Sequence, residues 1–416
     1  MTAGAETRAE TPTTGLLAAP PPPRSPWQLL YGGAHRLRRA WYRDRARRLP
    51  VPVISVGNLH WGGAGKTPLV AALAASLRDR GLAACVLSRG YGRRGGGVAV
   101  VGAGAGPLLP PSRAGDEPVL LAGELPGVAV VVGADRHRAG RHALARLEPR
   151  PEVFVLDDGF SHLALARDLD LLAFPAADPF AGGRLLPSGR LREPLEAAAR
   201  ADGVLLTGAA EGGPGGAELA AALRPHGFAG PGFSSATRTE PARRTDGRPL
   251  PPGARVVLAA GIARPERFFG AARAQGFEVA RELAFPDHHD YPPKTLRALT
   301  AALRETGAEA LLTTTKDRVK LHGRTDLPLA ELPVRAEPEP AFREWLEGRL
   351  AALGLGVAAG NARGSGCGGD SESDRGSDGG DDRGNAAGRR RDRGGDVDGD
   401  RRGERTARAD EAIRER

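Results

Sequence analysis

Cysteine, lysine, asparagine and long apolar runs are scarce in this chain of 416 residues. The two cysteines, Cys85 and Cys367, cannot build a disulfide framework, and their scarcity indicates a reducing compartment. No apolar run reaches the roughly 18 residues that a membrane-spanning helix needs, and residues 1–25 lack the apolar segment of a secretory signal. We therefore expect neither a disulfide-rich secreted protein nor a protein that spans a membrane.

Lysine is the most informative of the scarce residues. Of the 59 basic residues, only Lys66, Lys294, Lys316 and Lys320 are lysine. A bias that has replaced lysine by arginine nearly everywhere leaves lysine where arginine would not do the same work. Asn58, the only asparagine before residue 355, lies close in sequence to Lys66.

The formal net charge of +9 resembles a signal for nucleic-acid binding, but its distribution argues against that function. The first 50 residues contain nine arginines and three acidic residues, whereas the chain from Gly356 onward has 13 arginines against 14 acidic residues. No basic stripe with interleaved aromatic residues occurs outside residues 24–48. We therefore expect no nucleic-acid partner.

Composition also predicts the limits of the folded part. Residues 355–416 contain almost no large apolar side chain and mix both charge signs. Such a segment cannot bury enough apolar surface to offset the entropy of ordering it, so we expect a disordered tail. Residues 1–25 are expected to form a disordered N-terminus.

Residues 26–48 are predicted to form an amphipathic helix. Its apolar residues recur at helical spacing, with arginines on the remaining faces, and they are Trp27, Leu30, Tyr31, Ala34, Leu37 and Trp41. Such a helix either lies flat on an anionic bilayer or packs on the protein core with a solvated basic face. The residues alone leave both interpretations open.

Apolar strands alternate with amphipathic helices from residue 49 to residue 354, which predicts an α/β fold with a mostly parallel sheet. The pattern covers residues 49–207, stops over residues 208–253, and restarts over residues 254–354. We interpret the middle segment, rich in Gly, Pro and Arg, as a long connection. The sequence therefore predicts two α/β lobes, the second one smaller, with ligands at the carboxyl ends of the strands.

The stretch HWGGAGKTPLV follows the apolar run VPVISV and is typical of a phosphate-binding loop. It ends in Gly65-Lys66-Thr67, as the pattern G-x-x-x-x-G-K-[ST] requires, although His60 stands at the position of the first glycine. Lys66 would reach the β- and γ-phosphates of a nucleotide, and Thr67 would ligate Mg²⁺. The alternative is a tight strand-to-helix turn without a ligand. The predicted nucleotide-binding residues are Gly62, Gly63, Ala64, Gly65, Lys66, Thr67 and Pro68.

A P-loop needs a second metal-binding carboxylate at the tip of a neighbouring strand. The segment EVFVLDDGFSH supplies it, because Asp157 and Asp158 directly follow an apolar run. Two adjacent carboxylates at a buried strand end repel each other unless a cation lies between them and the phosphates. We therefore expect Asp157 and Asp158 to bind Mg²⁺ together with Thr67.

Further polar clusters interrupt the alanine-rich chain at residues 113–118, 135–137 and 285–291. An Asp hydrogen-bonded to a His would accept a hydroxyl proton, although a His pair next to Asp equally suits a metal site or a helix cap. The arginines of residues 182–195 would bind an anionic substrate, or they are solvated members of an arginine-rich surface.

Taken together, eight ordered blocks resemble the tetraacyldisaccharide 4′-kinases, the lipid A 4′-kinases of Gram-negative bacteria. The blocks are VPVISVGNLHWGGAGKTP, LSRGYGR, GDEP, VGADRHRAGRHAL, LDDGFSHLALARDLDLL, GRLLPSGRLREP, FPDHHDY and TTTKDRVK. The resemblance implies a P-loop NTPase-like fold, with the kinase domain over residues 49–207. It also implies transfer of the γ-phosphate of ATP to the 4′-hydroxyl of tetraacyldisaccharide 1-phosphate.

Carried over residue by residue, the resemblance assigns the catalytic groups. Asp116 of the GDEP block is the implied general base, paired with His288 beside Asp287, and Lys66 acts on the phosphates. Arg192 and Glu193 match polar positions of the active site.

The resemblance also places the chain in the cell. It implies that residues 26–48 embed in the cytoplasmic face of the bacterial inner membrane, an anionic surface, where the lipid A disaccharide precursor lies. His162 is a further implied site residue. Ser161 stands where many relatives carry Gln, so the role of that Gln is not carried over.

A second class of proteins shares a related loop. Nucleotide-switched, membrane-associated P-loop ATPases carry the pattern K-G-G-x-G-K-T, and Trp61 stands here at the position of their signature lysine. The sequence therefore predicts a kinase in preference to such an ATPase.

Overall fold

The protein is described here from a computed structural model, which covers residues 17–20, 25–210 and 212–356. Most of the predicted disordered N-terminus and nearly all of the predicted tail lie outside the described residues. Within the N-terminal segment, Leu17 and Ala19 pack against a buried cluster that contains Phe174 and Phe180.

The helices and strands are numbered in chain order. The helices are α1 Pro26–Tyr42, α2 Lys66–Asp79, α3 Pro111–Ala114, α4 Asp116–Glu124, α5 Arg136–Arg146, α6 Gly216–Leu223, α7 Pro265–Ala274, α8 Pro293–Thr306, α9 Thr315–Leu321 and α10 Pro340–Ala352. The strands are β1 Val53–Gly57, β2 Ala84–Ser88, β3 Ala99–Ala103, β4 Ala129–Val132, β5 Val153–Asp157, β6 Leu169–Pro175, β7 Gly203–Thr207, β8 Gly232–Thr239, β9 Arg243–Arg244, β10 Arg255–Ala260, β11 Glu278–Ala284, β12 Ala310–Thr314, β13 Leu329–Leu332 and β14 Val334–Pro338.

The first lobe is built on a nine-stranded sheet in the order β14-β8-β7-β6-β1-β5-β2-β4-β3. Only the outermost pairs, β14 with β8 and β3 with β4, are antiparallel. The central strands are buried on both faces because successive side chains point to opposite sides. Val155 of β5 joins the core under α2, whereas Phe154 and Leu156 join the core under α5. This explains why the strands read as continuous apolar runs.

The second lobe is a five-stranded sheet in the order β11-β10-β12-β13-β9, parallel except for its short edge strand β9. The chain enters this lobe after β8 and leaves it between β13 and β14. Strand β14 then pairs with β8, so the first sheet is completed by a segment that follows the whole second lobe.

The predicted domain limits differ from the structure in two places. Residues 208–253, predicted as a connection, contain α6 and β8, and β8 extends the first sheet. The segment beginning at β14, predicted within the second lobe, packs on the first, where Phe342 of α10 meets Phe233 of β8 at 5.3 Å between ring centroids. Strand β8 alternates half-buried and buried residues over 232–235 and is exposed over 236–238, so it lacks the continuous apolar signal of the central strands.

Helix α1 covers residues 26–42 and ends six residues before the predicted limit of 48. It docks through its buried Gln28 and Gly32 and through Tyr31, whose hydroxyl donates to the carbonyl of Arg192 at 3.1 Å. Trp27 also contacts the protein, because its indole N–H donates to the carbonyl of Leu186 at 3.0 Å. Leu30 and Leu37 of the predicted apolar face point outward, since they are 67% and 75% exposed. No helix in the described part of the chain has the length and apolar character needed to cross a bilayer.

Candidate active site

The glycine-rich loop lies at the carboxyl end of β1, in the middle of the first sheet, and leads directly into α2. Gly65 is the N-cap of α2 and has φ +67°, a left-handed conformation that favours glycine. The loop is anchored from β7, because the Thr207 hydroxyl donates to the carbonyl of Ala64 at 2.8 Å. Gly62, Gly63 and Gly65 remain exposed. Open backbone N–H groups at a helix N-terminus form an anion site.

His60, which replaces the first glycine of the pattern, packs inward and does not face the exposed loop. Its ring is 2% exposed and meets Phe174 edge-on at 5.9 Å. Burial lowers the pKa of His60 to about 4, so the ring is neutral near pH 7. The residue therefore fills the core beneath the loop and leaves the phosphate-binding surface to the glycines.

Lys66 begins α2 and takes part in a compact polar network. Its ammonium Nζ donates to Asn58 Oδ1 at 2.8 Å and lies 3.0 Å from Asp158 Oδ1. Arg192 donates to the same carboxylate through both terminal nitrogens, Nη1 to Asp158 Oδ2 at 2.9 Å and Nη2 to Oδ1 at 2.8 Å, and it also donates to Asn58. Burial alone would raise the pKa of Asp158, but these hydrogen bonds and charges hold it well below its usual range. Asp158 is therefore an ionised carboxylate shared by two cations.

Asp157 is in a different environment although it is the next residue. It is 2% exposed, and Oδ2 accepts from Ser88 Oγ at 3.1 Å, while Oδ1 has no hydrogen-bond partner among the described residues. Burial, together with the nearby carboxylates of Glu117 and Asp158, raises the pKa of Asp157 to about 7. A buried carboxylate oxygen without a donor, close to other carboxylates, is suited to a cation.

Asp116 begins α4, directly after Gly115, and reaches the second lobe. Its Oδ2 lies 3.5 Å from His288 Nδ1, in the loop after β11, and 3.0 Å from Lys320 Nζ on α9. Burial raises the pKa of Asp116, but the hydrogen bonds and charges of His288 and Lys320 outweigh it, so the net pKa is lowered. The pairing of Asp116 with His288, implied by the resemblance, is thus present between the lobes.

His288, and not its neighbour His289, faces the cleft. His288 has φ +61°, which few non-glycine residues adopt, while the His289 ring stacks on Phe285 at 4.8 Å. Asp287 is 4.0 Å from the His288 ring and is linked to it through Lys316, whose Nζ lies 3.3 Å from Asp287 Oδ1 and 3.2 Å from His288 Nε2.

Lys316 and Lys320 both belong to α9, a short helix that the sequence did not predict because TTTKDRVK is polar. The scarcity of lysine marked them, but nothing in the sequence indicated their partners. In the structure, three of the four lysines pair with carboxylates of the predicted site, Lys66 with Asp158, Lys316 with Asp287 and Lys320 with Asp116, whereas Lys294 is exposed on α8. Asn58, which the scarcity of asparagine marked in the same way, accepts a hydrogen bond from Lys66.

The remaining predicted positions form a second polar layer under α1. Glu193 is 3% exposed and accepts from Ser161 Oγ at 2.5 Å and from Arg200 at 2.7 Å. Ser161 therefore has a structural partner. The ring of His162 is largely buried, which lowers its pKa to about 4.

These features define a class of protein. A glycine-rich loop between a central strand and a helix, with a carboxylate at the tip of the adjoining strand, is the phosphate site of P-loop nucleotide-binding enzymes. The cleft also contains a carboxylate paired with histidine, a group able to accept a proton from an alcohol.

Comparison with known proteins narrows the class. Residues 24–351 match the family described as tetraacyldisaccharide-1-P 4′-kinase. A tetraacyldisaccharide 4′-kinase of Pelobacter propionicus is 42% identical, covering 76% of this chain and 86% of that protein, and one of Geobacter sulfurreducens is 43% identical over 70% and 82%. The chain belongs to the tetraacyldisaccharide 4′-kinase family. The predicted family is confirmed, and the alternative of a switched ATPase is not favoured.

A solved structure supports the same conclusion. The LpxK of Aquifex aeolicus, crystallised in complex with ATP, is 33% identical and superposes with a TM-score of 0.63, covering 79% of this chain and 97% of that one. The predicted P-loop kinase fold is confirmed, and the predicted ATP-dependent kinase class agrees with the names of these relatives.

Proposed function

We propose that this chain transfers the γ-phosphoryl group of ATP to the 4′-hydroxyl of tetraacyldisaccharide 1-phosphate, a precursor of lipid A. Family membership supplies the reaction, and one feature of the structure supports assigning it to the glycine-rich loop and Asp116. The end of β2 and the loop after it connect the two halves of the site. Ser88 Oγ, at the end of β2, donates to Asp157, and in the loop a Cβ added at Gly115 would lie 2.9 Å from the carbonyl oxygen of Tyr91. These contacts support the proposal that the phosphate-binding loop and the proton acceptor belong to one site.

The donor half would be the loop and the start of α2. In this proposal the backbone of residues 62–65, with the adjoining Pro68, surrounds the polyphosphate, and Lys66 contacts the β- and γ-phosphates. Lys66 then exchanges contacts with Asp158 for contacts with phosphate. Arg192 keeps Asp158 neutralised during that exchange, because its two hydrogen bonds to the carboxylate do not involve Lys66.

The residues also fit a magnesium ion. Asp157 offers a buried oxygen that has no hydrogen-bond partner in the described part of the chain, and Thr67 stands at the helix start where P-loop hydroxyls bind the metal. Mg²⁺ would neutralise charge on the phosphates. Asp158, the other predicted ligand, already has Lys66 and Arg192 as partners, so we propose Asp157 and Thr67 as the main protein ligands.

The acceptor half would be Asp116, oriented by His288. Asp116 stays ionised because its pKa is lowered, and only an ionised carboxylate can take the proton of a sugar hydroxyl. His288 Nε2 lies 3.2 Å from Lys316 Nζ, a donor-only group, so the ring proton belongs on Nδ1, which faces Asp116. Asp287 acts through Lys316 in this arrangement and holds the histidine side of the pair.

The acceptor is a lipid, so we propose that α1 brings the enzyme to the cytoplasmic face of the bacterial inner membrane as a peripheral protein. Leu30, Leu37 and Trp41 are exposed beside arginines, the pattern of a helix that lies on an anionic bilayer. The helix is bonded to the site, since Tyr31 donates to the Arg192 carbonyl.

Transfer of label tests the proposal. The full chain is incubated with γ-labelled ATP, Mg²⁺ and detergent-dispersed tetraacyldisaccharide 1-phosphate, and label is followed on the lipid. We expect label on the lipid at the 4′ position. Hydrolysis of ATP that liposomes stimulate, without lipid labelling, would contradict the proposal.

A further inference from the structure

Lys320 is a buried lysine of the second lobe whose charge is directed at a residue of the first lobe. Its residue surface is 4% exposed, and its Nζ lies 3.0 Å from Asp116 Oδ2. Nζ also donates to the carbonyl of His289 at 3.0 Å and lies 4.0 Å from the buried Asp317. One ammonium group therefore fastens the start of α4 to two segments of the other lobe.

We propose that Lys320 is a positioning residue for phosphoryl transfer, holding the carboxylate of Asp116 against His288 from the opposite lobe. The inference deepens the proposed function and rests on it, since it concerns the group that would accept the proton. Lys320 has no role in the nucleotide-binding loop, and the spacing of the sequence motifs gives it none.

The chemistry of lysine fits this position better than that of arginine. Lysine carries a compact ammonium with three donors, and its partners here, the Asp116 carboxylate and the His289 carbonyl, converge on that single nitrogen. A planar guanidinium would need more space at a site that is already closed. Because 55 of the 59 basic residues are arginine, lysine at this site is an exception that the geometry accounts for.

The charge has a consequence for the reaction. Among the described residues, the titratable and charged groups that face Asp116 are His288 from the loop after β11 and Lys320 from α9, and both lower its pKa. Removing an opposite charge within about 4–6 Å raises a carboxyl pKa by about 1–3. A variant without the Lys320 charge should therefore need a higher pH before Asp116 is ionised, and its rotamer would be fixed by His288 alone.

The experiment compares wild type with Lys320→Met, Lys320→Gln and Lys320→Arg in the lipid-labelling assay, with kcat and both KM values measured across pH. Lys320→Gln removes the charge but keeps a hydrogen-bond donor for the carbonyl of His289. It therefore tests the loss of charge even if Lys320→Met does not fold. For the uncharged variants we expect kcat to fall about 10–100-fold, with KM for ATP nearly unchanged. We also expect the acid limb of the pH profile to move up by about 1–3 pH units. Lys320→Arg should restore the position of the acid limb.

A double-mutant cycle isolates the coupling. In an Asp116→Asn background, Lys320→Met and Lys320→Gln should lower the residual rate by less than about twofold, since the group that Lys320 positions is gone. The matched control is Lys294→Met, an exposed lysine on α8, which should leave every parameter unchanged.

The outcomes separate the two proposals. Suppose that the wild type labels the lipid. The role of Lys320 is then overturned if the acid limb of the uncharged variants does not move, or if their kcat falls equally in the Asp116→Asn background. The kinase assignment would stand in either case. Wild type that labels no lipid would overturn both.

Discussion

The two halves of the cleft are built in opposite ways. The phosphate side comes from neighbouring strands of one sheet, where β1 and β5 pair directly and end in the glycine loop and in Asp157. The proton-accepting side is divided between lobes, with Asp116 on one and His288 and Lys320 on the other. The first half is complete whenever the sheet is folded, whereas the second exists only where the lobes meet.

Asp116→Asn should have the largest effect, because it removes the group on which both lobes converge. We expect turnover to fall by about 10²–10⁴-fold, the usual contribution of a general base, while ATP affinity changes little. The amide has nearly the same shape, so thermal unfolding should be close to wild type. Steady-state kinetics and nucleotide binding measure the two quantities. Equal losses in both would instead make Asp116 a nucleotide ligand.

Lys66→Ala removes the cation from the phosphate side and leaves the interlobe pair intact. We expect about 10²–10³-fold loss of transfer, in the range of a lost electrostatic contact to a developing charge. Lys66 is not part of a hydrophobic cluster, and Arg192 still neutralises Asp158, so the unfolding temperature should change little. Near-normal turnover would show that the loop does not hold the transferred phosphate; Lys294→Ala serves as the control.

Arg192→Lys sharpens the comparison within the phosphate side. A lysine cannot reproduce the two-point grip on Asp158 together with the contact to Asn58. Losing one charged hydrogen bond costs about 1.5–3 kcal/mol, so we expect roughly tenfold to 100-fold lower turnover. Arg248→Lys, at an exposed arginine whose guanidinium lies 2.6 Å from Asp246, is the matched control. A similar loss of turnover in both variants would contradict a specific role for the forked guanidinium of Arg192.

Leu37→Ser tests α1, which lies outside both halves. Leu37 is 75% exposed, so its loss should leave stability unchanged. Burying a leucine contributes about 1.5–3 kcal/mol, which predicts about tenfold weaker binding to anionic vesicles in a sedimentation assay. Leu108→Ser, another exposed leucine at 64%, should have no effect; equal effects at both positions would argue against a specific membrane face.

Deleting residues from Val357 onward should have the smallest effect. None of the residues that have a role in the proposed reaction lies in that segment. We expect the rate of lipid labelling to stay within about twofold of wild type and the unfolding temperature to stay within a few degrees. A large loss of labelling would assign the segment a function.

Much of the phosphate side could be predicted because its residues are close in sequence. The strand, the glycines, Lys66 and Thr67 fall within 15 residues, Val53–Thr67, and the carboxylates follow an apolar strand whose period fixes its burial. The different surroundings of the two carboxylates could not be predicted. Asp158 is bound by two cations, whereas one oxygen of Asp157 has no hydrogen-bond partner among the residues that the structure describes. Adjacent residues look equivalent in sequence, but a φ of +54° turns Asp158 toward the loop.

The lobe limits were harder to predict. Sequence segmentation assumes that a lobe is continuous, whereas β14 returns to the first sheet after the chain has built the second. Strand β8 was missed because it lacks the continuous apolar run of a central strand. Helix α9 was missed because its polar residues are paired by contacts distant in the chain, such as Lys320 with Asp116.

By itself, the amino-acid sequence determined the family, the α/β alternation and the phosphate-binding loop, since these depend on local periodicity and on residues a few positions apart. Tertiary structure alone decided which histidine faces Asp116, where the scarce lysines direct their charge, and which carboxylate is left for a cation. Those properties depend on distances between segments that are up to about 200 residues apart in the chain, and electrostatic energy follows the spatial distance and the burial of the charges.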